Sequence, residues 1–302
     1  MRMSMLFVAL AGLAVALFAG ADTVHLKNGV RFDGEVTKRP DGNYQVQAGR
    51  RTLVYRPSEI ANIEENGKTG EFDREAAVAR WKKRDAELTA LTGLNAEQRN
   101  AVEELMYRLQ LSDPNERKAV RDKLVKLQEE MSVFKFLAWQ MPGVSHRLAP
   151  WVLEAMFYVD PGRALPHLRE HAGHRYYGTR AKALELLGRL GDTESVVLMA
   201  RGLLDHTQDV QIMAAYALAN SRARQATPAL IETLKQPDLR VSNAARKALQ
   251  ALWKEQIDAD APPRTVDEWN AVWAGQRDAY ENPVSLQYLE PLIDPEYEFE
   301  DE

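Results

Sequence analysis

The hydrophobic positions of this chain recur at a spacing of 31 residues between Arg117 and Trp253. Sliding the sequence along itself by that spacing superposes three sets of positions: Thr179, Val210 and Val241; Ala183, Ala214 and Ala245; Leu187, Leu218 and Leu249. Successive sets lie four residues apart, which is the spacing of one helical face. A second stripe repeats at 62 residues, twice that period: Ala164, Pro166 and Leu168 match Ala226, Pro228 and Leu230. The pattern predicts a stack of two-helix units, none of which can bury its apolar face alone.

Residues 22–64 alternate with a period of two, which predicts β-strands in place of helices. Five short apolar alternations mark the strands: Val24 with Leu26, Phe32 with Val36, Tyr44 with Val46, Leu53 with Tyr55, and Ile60 with Ile63. Asn28-Gly29 and Asp41-Gly42 are strong turn signals between them. Because closing such a short sheet removes its exposed edges, we expect a small β-barrel.

Helix start signals place the elements that follow the strands. Residues 65–112 are expected to form a linker and two connecting helices, the second beginning at a capping-box pair, Asn95 and Gln98. Asp113 and Pro114 then open the solenoid, predicted over residues 113–256.

The two ends of the chain carry distinct patterns. Residues 1–21 combine a basic start, an apolar run and small residues before Asp22, as a secretory signal peptide does. The apolar run is shorter than a membrane span, so we expect cleavage; a retained anchor is the alternative.

Residues 257–281 contain a helix with Trp269 and Trp273 on one face, expected to cap the stack or else to offer an aromatic ligand-binding face. Residues 282–302 are expected to be a disordered acidic tail, with an apolar insert over 286–293 that resembles a docking peptide.

Composition and charge narrow the functional classes. The 302-residue chain is 45% hydrophobic and 27% charged, as in an ordinary globular protein. Its net charge is −5, and nine acidic residues stand against one base after Gln276. No strong basic patch is visible, which disfavours nucleic-acid binding. The absence of cysteine removes disulfides, thiolate nucleophiles and cysteine-ligated metals.

One motif matches the sequence pattern of a catalytic zinc site. Residues 167–171 read His-Leu-Arg-Glu-His, in which His167 and His171 could hold zinc and Glu170 could activate water, with His174 as a third ligand. The motif lies in register with the repeat, however, so we expect ordinary helix-surface histidines and predict no metal and no cofactor. Residues 163–171 are therefore interpreted as part of the stack.

Two family resemblances follow from these residues. The segments RAKALELLGRLGDTESV and DLRVSNAARKALQAL resemble bacterial HEAT-like repeats of the phycobilin-lyase type, although no residue here carries lyase chemistry. The first two units depart from the pattern with larger aromatics: Phe134, Phe136, Trp139 and Trp151. Residues 22–64 resemble SH3-like or Sm-like barrels at the front of exported bacterial proteins. Together the resemblances imply a multidomain α+β protein, a small N-terminal β-barrel followed by an all-α HEAT-like solenoid.

The resulting hypothesis is an exported, periplasmic or secreted, non-enzymatic scaffold that binds a protein partner. The concave face of the second helices is the expected surface, and helical phase suggests its exposed residues: Arg163, Arg169, Glu170, Arg201, Glu232 and Lys235. A metal-dependent hydrolase built on His167–His171 is the first alternative, and cell-envelope polymer binding by the barrel is the second. No membrane span is expected after signal cleavage, and the pattern leaves the oligomeric state open.

Overall fold

The computed structural model describes residues 22–48, 51–65, 68–69, 74–111 and 113–294. The predicted signal peptide, Arg50 and residues 295–302 lie outside these ranges. The chain divides between Asn100 and Ala101 into two compact units.

The N-terminal unit begins with one antiparallel sheet whose strand order is β4-β3-β2-β1-β5-β6. Its strands are β1 (Asp22–Leu26), β2 (Arg31–Lys38), β3 (Tyr44–Ala48), β4 (Arg51–Tyr55), β5 (Ile60–Glu65) and β6 (Lys68–Thr69). All five strands predicted from the alternation are therefore confirmed. Gly29 and Gly42 both adopt a positive φ of 84° in the predicted turns, a conformation that glycine takes without strain.

The sheet packs its apolar side chains on one face. The core of the sheet consists of Val24, Leu26, Val46, Ile60 and Ile63, all buried. Phe32 and Tyr55 stack at its margin with ring centroids 5.7 Å apart.

The predicted closed barrel is not found among the described residues, because the sheet is open with β4 and β6 as its edges. The two edges are protected by other means than closure. Strand β4 exposes Arg51 and Thr52, and β6 is only two residues long. Polar side chains and very short strands are both known to discourage pairing with other chains.

Twelve α-helices follow in the described part of the chain: α1 (Arg74–Thr92), α2 (Ala96–Leu111), α3 (Pro114–Glu130), α4 (Val133–Gln140), α5 (Ala149–Val159), α6 (Pro161–His171), α7 (Tyr177–Leu190), α8 (Val196–Arg201), α9 (Gln208–Asn220), α10 (Thr227–Thr233), α11 (Leu239–Trp253) and α12 (Val266–Ala274). Within the described residues, no helix combines the length and apolar character needed to cross a membrane.

Local sequence signals fix several of these helix ends. Asn95 and Gln98 exchange backbone-to-side-chain hydrogen bonds of 2.9 and 3.0 Å at the start of α2. Asp113 accepts from the amides of Asn115 and Glu116 at the start of α3. Thr265 and Glu268 form a capping box at the start of α12. These contacts satisfy amides that lack partners within the helix.

The helices of the second unit stack as the 31-residue period predicts. The first helices of successive repeats pack in sequence, α3 on α5, α5 on α7, α7 on α9 and α9 on α11. All nine residues of the three superposed sets are fully buried: Thr179, Val210, Val241, Ala183, Ala214, Ala245, Leu187, Leu218 and Leu249. The HEAT-like interpretation of the repeat is thereby confirmed at the level of the fold.

Aromatic side chains from the following segment pack against α11, which is the first helix of the last repeat. Trp269 is fully buried and Trp273 is 9% exposed. The ring centroid of Trp253 in α11 lies 6.4 Å from that of Trp273, and its Nε1 donates to Thr227 Oγ1 at 3.0 Å. Both tryptophan side chains are thus buried within the second unit, and the capping role of α12 stays a prediction.

We expect Gly188→Ala to destabilise the stack. A Cβ at Gly188 in α7 would lie 2.5 Å from Ala217 Cα in α9, a backbone atom that can yield only if the helices separate. Overpacking of this kind costs about 1–3 kcal/mol of unfolding free energy, measurable by chemical denaturation.

Gly162→Ala is the matched control, because the nearest atom to its added Cβ is Asp160 Oδ1 at 3.7 Å. That variant is expected to retain the stability of the wild type. Equal stability of the Gly188 and Gly162 variants would contradict close packing of α7 against α9.

Candidate functional site

The second helices of the repeats, α6, α8 and α10, form a continuous face of the stack, here called the second-helix face. Their inner stripe is buried and consists of Ala164, Leu168, Met199, Ala226 and Leu230. The repeat register therefore turns the opposite sides of these helices outward. Most of the residues predicted to bind a partner lie on or just beyond these helices.

A segment from near the end of the chain lies along this face. We name residues 283–292 the C-terminal strap. At its start, Val284 pairs through its backbone with the turn that opens α10. Its amide donates to Gln225 O at 2.8 Å, and its carbonyl accepts from the Ala229 amide at 3.1 Å. Ser285 Oγ donates to Glu232 Oε1 at 2.6 Å.

The other end of the strap reaches the earlier repeats. Arg201 at the end of α8 donates through Nε to Glu290 O at 2.9 Å and through Nη2 to Pro291 O at 2.8 Å. Leu292 is 9% exposed and approaches Gly202 and Gly173, which follow α8 and α6. The strap thus crosses three successive repeats in the order opposite to the chain.

The strap contacts the second-helix face through backbone hydrogen bonds and through two buried leucine side chains. Leu286 is 8% exposed, whereas Tyr288 between the anchors is 81% exposed. Burying a leucine contributes about 1.5–3 kcal/mol at most, and each hydrogen bond adds roughly 1 kcal/mol. Because the strap makes backbone contacts, its recognition depends only partly on its sequence.

The structure therefore differs from the disordered tail expected over residues 282–302. The apolar insert supplies the reason: Leu286 and Leu292 bury their side chains on the helices, and the helix amides and Arg201 supply donors for the backbone. The interpretation of residues 286–293 as a docking peptide describes this segment better. The acidic residues 295–302 lie outside the described part of the chain.

The six predicted binding residues occupy different environments. Arg201 and Glu232 both contact the strap, at its opposite ends. The guanidinium carbon of Arg163 lies 4.3 Å from the ring centroid of Phe134, and its Nε lies 3.9 Å from Asp160 Oδ2. Glu170 and Lys235 are exposed.

Arg169 instead joins two repeats. It makes a two-pronged contact with Asp192, at 3.0 and 2.8 Å, and a further 2.8 Å contact with Glu194. Burial alone would raise the pKa of Asp192, but hydrogen bonds from Arg169 and Ser195 outweigh it and hold that pKa below its usual value. The hydrogen bonds that Arg169 donates to Asp192 and Glu194 raise the pKa of its guanidinium. The guanidinium of Arg169 is therefore engaged by acidic side chains of the same protein.

The histidine motif does not form a zinc site in the described residues, where no group of three metal-binding side chains converges. His171 Nδ1 lies 2.8 Å from the His167 carbonyl, and His174 Nδ1 accepts from the Tyr176 amide at 3.0 Å. The rings of His171 and His174 stack at 5.8 Å. Two of the ring nitrogens are thus engaged in contacts with the backbone.

The aromatics of the early repeats also serve packing. Phe134 and Phe136 are buried, and Phe136 stacks on Trp139 at 5.9 Å. Trp151 lies between two cations, Arg117 at 5.0 Å and Lys182 at 5.7 Å. Such cation–π contacts between neighbouring first helices strengthen the stack.

Sequence reasoning missed two buried carboxylates beside these groups. Glu154 in α5 is 1% exposed and contacts both Arg121 Nε, at 2.9 Å, and Lys182, at 3.1 Å. Asp205 is paired with Arg180 through two hydrogen bonds of 2.8 and 2.9 Å, and both side chains are fully buried. For Glu154 the only signal was a charged residue on a helical face that the repeat pattern makes apolar, whereas Asp205 lies in the loop before α9, where the pattern gives no signal.

Comparison with known proteins supports the repeat and little else. A family model described as HEAT repeats matches residues 165–250. No curated protein matches the chain. A crystal structure of an engineered protein, a structural-genomics target, is similar with 16% sequence identity and a TM-score of 0.36, over 50% of this chain and 79% of that one.

The buried histidines predict a pH dependence of stability. Burial, reinforced by His171, lowers the pKa of His174 in the folded chain from its ordinary 6.5, and burial likewise lowers that of His167. The unfolded chain therefore binds these protons first as the pH falls, so unfolding free energy decreases on acidification from about pH 7.5 to 5.5.

His174→Asn is expected to flatten this dependence, because asparagine can still accept from the Tyr176 amide but does not titrate. Urea unfolding of both proteins across that pH range measures the difference. An unchanged slope in the variant would rule out His174 as a source of the effect.

Proposed function

We propose that the protein is an exported, non-enzymatic protein-binding module that holds its partner on the second-helix face. HEAT repeats, which match residues 165–250, suggest a scaffold for protein interaction. The observation that supports this face above others is the strap itself, since an extended segment of protein already lies across three repeats there. A surface that accepts one such segment has the donors and apolar contacts to accept another.

The strap indicates the chemistry of the partner. We propose an extended peptide with two apolar side chains about six residues apart, as Leu286 and Leu292 are. Its backbone carbonyls would accept from Arg201 and from the Ala229 amide, and a hydroxyl or amide would meet Glu232. The partner would therefore compete with the strap for the same groups.

A full-length variant with Leu286→Asp and Leu292→Asp tests this proposal. Burying two carboxylates is costly, so the strap is expected to leave the face while the helices stay folded. A fluorescent peptide with the wild-type sequence of residues 282–294 should then bind the variant roughly tenfold or more tightly than it binds the wild type, whose tethered strap competes at high effective concentration. Fluorescence anisotropy measures both affinities.

Tyr288→Asp is the control for adding an aspartate to the strap, because position 288 is 81% exposed and its substitution buries no carboxylate. This variant should bind the peptide as weakly as the wild type does. Equal binding by all three proteins would contradict a displaceable strap on the second-helix face.

We also propose export with cleavage before Asp22. Strand β1 begins at Asp22, so cleavage there leaves every strand of the sheet intact. Expression in a Gram-negative host, followed by fractionation and N-terminal sequencing, should yield a periplasmic protein that begins with Asp22. A chain that retains residues 1–21 and sediments with membranes would support the anchored alternative instead.

A further inference from the structure

A cavity of about 200 Å³ lies in the N-terminal unit where the β2–β3 hairpin faces helix α1. Four cationic side chains line it, Lys38, Arg39, Arg80 and Arg84, together with the rings of Tyr44 and Trp81. No acidic side chain is among its described lining residues. Cavities of this composition attract anions, because the surrounding protein screens the charges less than water does.

The cavity is built on a rigid contact between the hairpin and the helix. Gly42 takes a positive φ of 84°, and a Cβ there would lie 3.5 Å from Trp81 Cα. Arg84 Nε donates to Pro40 O at 3.0 Å across the same contact. The walls are therefore fixed before any ligand arrives, which lowers the entropic cost of binding.

The four cations are not equally engaged. Arg39 lies 3.3 Å from Asp41, and Arg84 lies 3.1 Å from Glu87. Lys38 and Arg80, in contrast, make no ion pair with any acidic side chain in the described residues, and both are exposed. Two positive charges thus remain to be matched by a ligand.

We infer that this cavity binds the phosphate, sulfate or carboxylate group of an anionic ligand. Lys38 and Arg80 would supply the charge-assisted hydrogen bonds, while Arg39 and Arg84, each held by its own ion pair, form the rest of the wall. The volume decides the size of the ligand, because pockets for drug-sized molecules measure roughly 300–1,000 Å³. A single charged group fits this cavity, either as a free small anion or as one residue of an acidic polymer.

Calorimetry on the full-length protein at low ionic strength tests the inference with two probes, inorganic pyrophosphate and a trisaccharide of galacturonate. The double variant Lys38→Gln/Arg80→Gln should bind the preferred probe at least tenfold more weakly, since two charge-assisted contacts are lost. Lys82→Gln/Lys83→Gln is the matched control, because it removes the same net charge from exposed positions of α1 that do not line the cavity.

Each result decides the question. Cavity-dependent binding of pyrophosphate identifies a small phosphate ligand, and cavity-dependent binding of the trisaccharide identifies an acidic saccharide. Binding of neither probe overturns the inference. Equal weakening by the two double variants also overturns it, since the attraction would then come from the overall charge of the helix.

Discussion

The structure of the second unit depends on one constraint: a 31-residue pair of helices has apolar surface on both sides and cannot bury it alone. Each first helix therefore requires a neighbour on either side, and small residues at the contact decide how close it comes. Ala183, Ala214 and Ala245 are fully buried at equivalent positions, and Gly188 lets α7 approach the backbone at Ala217. The series ends at α11, where Trp253 packs edge-on against Trp273 and Tyr280 from the following segment. Stability in such a stack is a sum of contacts between adjacent repeats.

Buried charges fix the order in which these repeats meet. The Arg180–Asp205 pair has no solvent access, and Glu154 depends on Arg121 and Lys182 from the two flanking helices. Apolar stripes that repeat every 31 residues could pack in a shifted register with little loss. A shift would leave these charges buried without partners, which costs several kcal/mol for each. The ionic contacts therefore supply specificity that the regular stripe lacks.

The sequence predicted what periodicity controls. Burial of Thr179, Ala183 and Leu187 follows from helical phase, and the five strands follow from alternation and two glycine turns. The prediction of a closed sheet was wrong. Polar residues on β4 also protect an open edge, and the alternation of apolar residues does not distinguish an open sheet from a closed barrel.

The candidate site was predictable only in part. The helical phase of the repeat predicts the direction in which Arg201 and Glu232 point, but it does not predict which segment of the chain covers them. The strap has no period, so its position depends on contacts between residues some 50 to 90 positions apart, such as those that join Ser285 to Glu232 and Pro291 to Arg201. The buried carboxylates Glu154 and Asp205 were missed for a related reason, since the partner of a single charged residue is visible only in three dimensions.

The order of the strap along the chain has a consequence for synthesis. Polypeptides emerge from the ribosome, and fold, from the N-terminal end onward. Every repeat that the strap crosses is made before the strap, so the second-helix face is complete and uncovered while the last segments are still being made. A partner present at that moment meets a vacant surface, whereas one that arrives later must displace the occupant. The same affinity would then give different outcomes according to the time of encounter.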